Sequence, residues 1–312
     1  MPSSPTLIFM TIFCLESLAA MLQNGFLVTM LGREWVRCRT LPASDMIVAG
    51  LTASRFCLHG LAMVNNLLAS LDFWHAFTCL NIFWDLFNAL TSWFTALLAA
   101  FYCVKISSFS HPIFACLKWR ISRSVPKLML GSLIICGLQV ILSATGNILF
   151  GPMKFSLSSY GNETLIYRVQ DSFQLYFLLY EGLVLSVPFL LFLVPTVLLI
   201  VSLCGHLGQM RERRPSPCVP STQAYTVALK SLTFFLIFCT LYFLSLFVSA
   251  LKIINFQNHW HLAWEVLIYA NISLHSTFLV LRRPKLKKSL KTWFRLQCPC
   301  AAGSQGFGRC WP

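Results

Sequence analysis

Apolar residues in this chain gather into seven long runs, at 7–31, 46–71, 82–104, 128–150, 177–203, 231–251 and 262–281, with short polar stretches between them. A helix that crosses lipid needs about 20 mostly apolar residues in succession. Each run meets that length, so the pattern predicts an all-α membrane protein, a seven-transmembrane helix bundle over residues 1–296. The first run has no basic residue before it and is longer than the roughly 7–15 residues of a cleavable signal's apolar core. It is expected to act as an uncleaved signal-anchor. After the seventh run, residues 285–296 alternate Leu, Trp and Phe with Lys and Arg, as a short amphipathic helix at the membrane interface would. Pro284 suits the first turn of that helix. Residues 297–312 are left as a flexible tail.

Composition says what solvates these runs. The 312 residues are 57% hydrophobic and only 11% charged, against about 25% charged in a soluble domain. There is too little polar material to coat a globule, so lipid bilayer takes the place of water. The net charge of +14 would suit nucleic acid only if it formed one patch or face. Here it is divided among short segments between the runs, which suits anionic lipid and makes nucleic acid no partner. Most of the 13 cysteines lie inside apolar runs, where free Cys acts as a small hydrophobe. Cys298, Cys300 and Cys310 follow the basic amphipathic stretch and are candidates for palmitoylation.

Lys and Arg then orient the bundle, because loops on the cytoplasmic side carry the excess of both. Arg33, Arg37 and Arg39 lie in the first loop, and Lys105, Lys118, Arg120, Arg123 and Lys127 in the third linker. Arg211, Arg213, Arg214 and Lys230 lie in the fifth, and eight more follow the seventh run. The opposite side has Lys154, Arg168 and Lys252 alone. The bias is about sixfold, so the N-terminus is expected outside and the C-terminus inside. Asn162-Glu163-Thr164 is a glycosylation sequon in the longest outward loop, as that orientation requires. A second sequon at Asn271 falls inside the seventh run and should be silent.

Polar residues inside the runs are the candidates for chemistry. A charge at the bilayer centre costs at least about 2.5–3.5 kcal/mol, so it should face the bundle interior. Arg55 is the clearest case, and Asn24 at comparable depth in the first run is its expected partner, joining helices one and two. Glu16 has no evident partner. Near the expected outer ends, Trp84, Asp85 and Asn88 open the third run and Glu265 opens the seventh. Trp84 and Asn88 are four apart and share a helical face. Such a set can form a cup with an aromatic wall, an orienting amide and a carboxylate for a cation. The same residues also fit a plainer role, Trp as an interface anchor and the carboxylates meeting water. No zinc-binding helix motif, nucleophile elbow or phosphate loop is present, so no enzyme and no cofactor or metal are expected.

Specific motifs go further. Trp93-Phe94-Thr95-Ala96-Leu97-Leu98, through Phe101-Tyr102 to Lys105-Ile106, Phe109-Ser110 and Leu117-Lys118-Trp119-Arg120, resembles the third helix and second inner loop of type 2 (bitter) taste receptors. Asn24-Gly25-Phe26 and Leu51 with Ala53-Ser54-Arg55 are similar to their first two helices. Leu199, Ser202-Leu203 and His206 resemble the end of their fifth helix, Ala228-Leu229-Lys230-Ser231 the start of their sixth, and His275-Ser276 the close of their seventh. The marks of rhodopsin-like receptors are missing: no Asp-Arg-Tyr, Cys-Trp-x-Pro or Asn-Pro-x-x-Tyr, and no Cys between Gly151 and Gly182.

The resemblance implies a G-protein-coupled chemosensory receptor, multi-pass in the plasma membrane. It would bind bitter small molecules from outside and activate a gustducin-like heterotrimeric G protein. It further implies ligand contact at Trp84, Asn88 and Glu265, to which Asp85 is added by its place beside Trp84, and a helix-core switch of Asn24, Arg55, Ser202, Leu203, His206, His275 and Ser276. The G-protein-facing surface would be Lys105, Lys118, Trp119, Arg120 and Lys230. The chain departs from the pattern at Asn271-Ile272, where many members have Tyr-Pro, and at Arg282-Arg283-Pro284. A non-signalling or orphan paralogue, a vomeronasal-like receptor and a channel or transporter are the rival readings.

Overall fold

The computed structural model describes residues 4–70, 77–107, 112–159, 163–213, 220–250 and 260–282. Among these residues there are seven helices and no strand: α1 (Ser4–Cys38), α2 (Ala43–Ser70), α3 (Phe77–Ile106), α4 (Pro112–Ser159), α5 (Glu163–Arg213), α6 (Pro220–Ala250) and α7 (Trp260–Arg282). Six of them contain a stretch long and apolar enough to cross a membrane. The seventh, α7, is 23 residues long, within the usual length of a span. The molecule is a seven-helix membrane bundle.

The helices are longer than the apolar runs that predicted them. α4 spans 48 residues and α5 spans 51, because hydropathy marks what lipid covers while hydrogen bonding carries a helix on into the polar flanks. The turn from α1 to α2 shows how one helix is stopped. Arg39 takes a left-handed backbone, φ 57°, and its N–H bonds the Trp35 carbonyl at 2.7 Å, which closes the last turn of α1. Pro42 then opens the next helix by accepting from the N–H groups of Asp45 and Met46 at 2.8 and 3.0 Å.

α3 packs against α2, α4 and α5 and forms the centre, while α7 closes the ring by packing on α1 and α6. Two apolar clusters fill the interior. One joins Phe192, Phe235, Phe243, Tyr242 and Tyr269 across α5, α6 and α7. The other joins Leu31, Val48, Leu51, Phe94 and Leu98 across α1, α2 and α3. Lipid tails are as apolar as Leu, so close packing and polar contacts must hold these helices together. Gly50 supplies one such approach: a Cβ there would lie 2.9 Å from Met129 and 3.1 Å from the Phe94 ring. The outer faces carry exposed Leu130, Ile134, Leu138 and Ile141 on α4, spaced by three or four. That is an amphipathic pattern turned inside out.

The expected pairing of Arg55 with Asn24 is not made. Asn24 donates back to the Ala20 carbonyl of its own helix at 2.8 Å. Arg55, only 2% exposed, donates through Nη1 to Ser276 Oγ of α7 at 2.9 Å. A buried guanidinium takes an oxygen it can reach, and that oxygen belongs to α7, so Arg55 joins α2 to α7 rather than to α1. The expected helix 285–296, the tail 297–312 and the sequon at Asn162 lie outside the described residues.

Candidate functional site

Along α3, Trp84, Asn88 and Ser92 repeat every four residues and share one face, with Asp85 beside them. Trp84, Asn88 and Asp85 each hold a different neighbour. Trp84 donates its indole N–H to the Tyr269 hydroxyl of α7 at 2.6 Å. The Tyr242 hydroxyl of α6 donates to Asn88 Oδ1. Ser143 of α4 donates to Asp85 Oδ2 at 3.0 Å. A single turn of α3 is therefore tied to three helices.

These contacts border a cavity of about 220 Å³. Trp84, Asp85, Asn88, Ala89 and Ser92 of α3 form one wall, and Gln139, Val140 and Ser143 of α4 a second. Tyr180, Val184 and Leu185 of α5, with Leu246 and Ser249 of α6, complete it. The volume falls just below the roughly 300–1,000 Å³ of most small-molecule pockets, so the space suits a compact ligand. Its character is mixed, with aromatic and aliphatic walls and a few polar groups at set positions.

Glu265 stands apart. It is not among the residues lining the cavity, and it accepts from Asn66 Nδ2 of α2 at 2.9 Å. Tyr269, one turn further along α7, links the two places through its bond from Trp84. Of the four expected ligand contacts, the structure brings Trp84, Asp85 and Asn88 to one cavity and puts Glu265 at a neighbouring α2–α7 contact.

The expected switch residues fall into two groups. Arg55 and Ser276 meet directly. Near them His59 and His275 are buried, His59 against the Tyr269 ring at 5.1 Å and His275 against Phe235 at 4.5 Å, and Asn24 is buried on α1. Ser202, Leu203 and His206 lie toward the other end of α5, with Leu203 buried and the other two half-buried. Of the basic surface, Lys118, Trp119, Arg120 and Lys230 are exposed and Lys105 is half-buried. The neighbouring Arg123 guanidinium lies 4.8 Å over the Trp119 ring. Asn271, the second sequon, is buried and donates to the Leu267 carbonyl at 2.8 Å, so no glycan can reach it. α7 runs through this position as one helix.

Sequence reasoning missed the walls that α4, α5 and α6 contribute. Gln139 and Ser143 did leave a signal, being two polar residues four apart with only apolar residues between them. Tyr180, Tyr242 and Ser249 left none, since aromatic and hydroxyl side chains are ordinary in membrane helices.

Comparison with known proteins agrees with this architecture. The family model described as "Taste receptor protein (TAS2R)" matches residues 1–297. The chain is 83% identical over 312 residues to taste receptor type 2 member 62 of Pan paniscus, covering 100% of both chains. It is 53% identical over 291 residues to taste receptor type 2 member 134 of Rattus norvegicus, covering 93% of this chain and 87% of that one. To taste receptor type 2 member 16 of Pongo pygmaeus it is 39% identical over 290 residues, covering 93% and 98%.

Proposed function

Because this chain belongs to the type 2 (bitter) taste receptor family, G-protein-coupled receptors and not enzymes, we propose that bitter small molecules bind in the cavity beside Trp84, Asp85 and Asn88. The protein is a multi-pass membrane protein of a family that implies small-molecule ligands and G-protein coupling. The finer reading puts it in the plasma membrane, with the cavity opening to the outside and a gustducin-like G protein on the inside. The crowding of Lys and Arg into one set of loops supports that orientation. In that orientation Asn162 carries the glycan, and Lys105, Lys118, Trp119, Arg120 and Lys230 face the G protein and acidic lipid.

The observation that carries this reading is the convergence of Trp84, Asp85 and Asn88 on one cavity whose walls include α5 and α6. A ligand shifts conformations only by binding one of them better. Here the Tyr242 hydroxyl ties α6 to Asn88 on the cavity wall. A ligand that engages Asn88 competes for that tie and so acts directly on α6, whose movement against α5 opens the inner cleft. A micromolar ligand brings about 8 kcal/mol in total, and only the difference between the two states drives the switch.

The test is a calcium-imaging screen of bitter compounds in cells that co-express the receptor and a promiscuous G protein. For a compound that activates, Trp84→Ala should raise the half-maximal concentration at least tenfold. Glu265→Ala, outside the cavity lining, should move it less. An unchanged dose response for Trp84→Ala at matched surface expression would remove the cavity from the mechanism.

A further inference from the structure

We infer that this cavity selects compact protonated amines, with Asp85 as the residue that sets the preference; the inference rests on the cavity being the ligand site. The argument is an inventory of hydrogen-bond donors and acceptors along the walls. The Trp84 indole N–H goes to Tyr269 at 2.6 Å, and the Ser143 hydroxyl to Asp85 at 3.0 Å. The Tyr180 hydroxyl donates to the Gln139 carbonyl at 2.6 Å. Ser92 donates to the Asn88 carbonyl at 3.1 Å, and Ser249 to the Ser245 carbonyl at 3.0 Å. Five lining donors are thus committed within the protein.

Acceptors remain. The Asp85 carboxylate has more acceptor sites than the single Ser143 bond fills. Pro188 lies inside α5 and has no N–H, so the carbonyl of Val184, four residues earlier and on the cavity wall, lacks its helical partner. The primary amides of Asn88 and Gln139 supply the remaining donors. Charge points the same way. Asp85 is the only charged side chain among the lining residues, which include no Lys, Arg or His. A ligand that brings N–H donors and a positive charge answers the Val184 carbonyl and the Asp85 carboxylate together. Trp84 and Tyr180 add aromatic walls to the same space. A carboxylate or phosphate would meet a like charge and few donors. Glu265, already engaged by Asn66 and away from the lining, has no part in this selection.

The experiment uses the purified full-length receptor and three probes with one ring and three charges: phenethylamine, phenethyl alcohol and phenylacetate at neutral pH. Binding is read by thermal shift and by displacement of labelled phenethylamine. The amine should bind at least tenfold more tightly than the alcohol, and phenylacetate should not compete. Asp85→Asn, which keeps an acceptor for Ser143, should erase the difference between amine and alcohol. Ala89→Trp, or Val184→Trp from the opposite wall, should block binding by filling the cavity. If the alcohol binds as well as the amine, or Asp85→Asn leaves the amine unchanged while the plugs block it, the charge selection is wrong and the site stands. If amine binding survives both plugs, or no probe binds, the site reading falls and this inference falls with it.

Discussion

Where α3 faces α4, α6 and α7, polar side chains answer one another: Trp84 with Tyr269, Asn88 with Tyr242, Asp85 with Ser143. Around Arg55 the opposite holds. Arg55 donates to Ser276, while its Nε, both nitrogens of His59 and His275 Nδ1 are buried with no hydrogen-bond partner. Each buried polar group left unpaired costs about 1–3 kcal/mol. The first region is braced, so moving a helix there breaks several bonds at once. In the second, a shift of α7 against α1 and α2 must break Arg55–Ser276 and Asn66–Glu265, with the weaker Ser273–Glu16 and Thr277–Gln23 contacts, but it can bring partners to buried groups that lack them. The paired region is set to respond to a ligand that displaces one of its bonds, and the under-paired region has contacts to gain when the helices shift.

Three substitutions would break or sharpen that contrast. Ser276→Ala should have the largest effect, roughly 3 kcal/mol of thermal stability in the purified receptor, because it takes the Oγ acceptor from a buried guanidinium. Loss of under 1 kcal/mol would mean that Arg55 is satisfied by water, and the contrast would shrink. Asn88→Ala comes next, at about 1–2 kcal/mol, since it strands the Tyr242 hydroxyl in the interior. Tyr242→Phe added to it should recover part of that loss. A double-mutant cycle with zero coupling would show the two side chains to be independent. Ser143→Ala should be smallest, about 0.6 kcal/mol, the average for a bond between membrane helices. A denaturation curve displaced by several times that amount would make Asp85 a structural anchor rather than a group available to ligand.

The seven-helix architecture was legible in the apolar runs because lipid demands one long unbroken apolar stretch per crossing. Helix ends were not, since α4 and α5 continue past the lipid-facing part into sequence that hydropathy reads as loop. At the site, Trp84 and Asn88 could be placed on one face because a single helix carries both. The partners could not, because which helix meets α3 depends on packing between segments distant in the chain. The same gap led to Asn24 as the partner of Arg55: equal depth was readable, but rotation about the helix axis was not. Ser276, 221 positions away, carried no mark beyond its place beside His275 in a family motif.

The left-handed Arg39 at the end of α1 bears on how the chain enters the bilayer. A non-glycine residue held in that conformation gives up about 1–2 kcal/mol, which a glycine would restore. Yet a cation at the level of anionic headgroups is worth about 1 kcal/mol. The two nearly cancel, so a substitution that would ease the hairpin's backbone also withdraws one of the charges that, in the orientation proposed above, hold it in place as the first two helices leave the translocon.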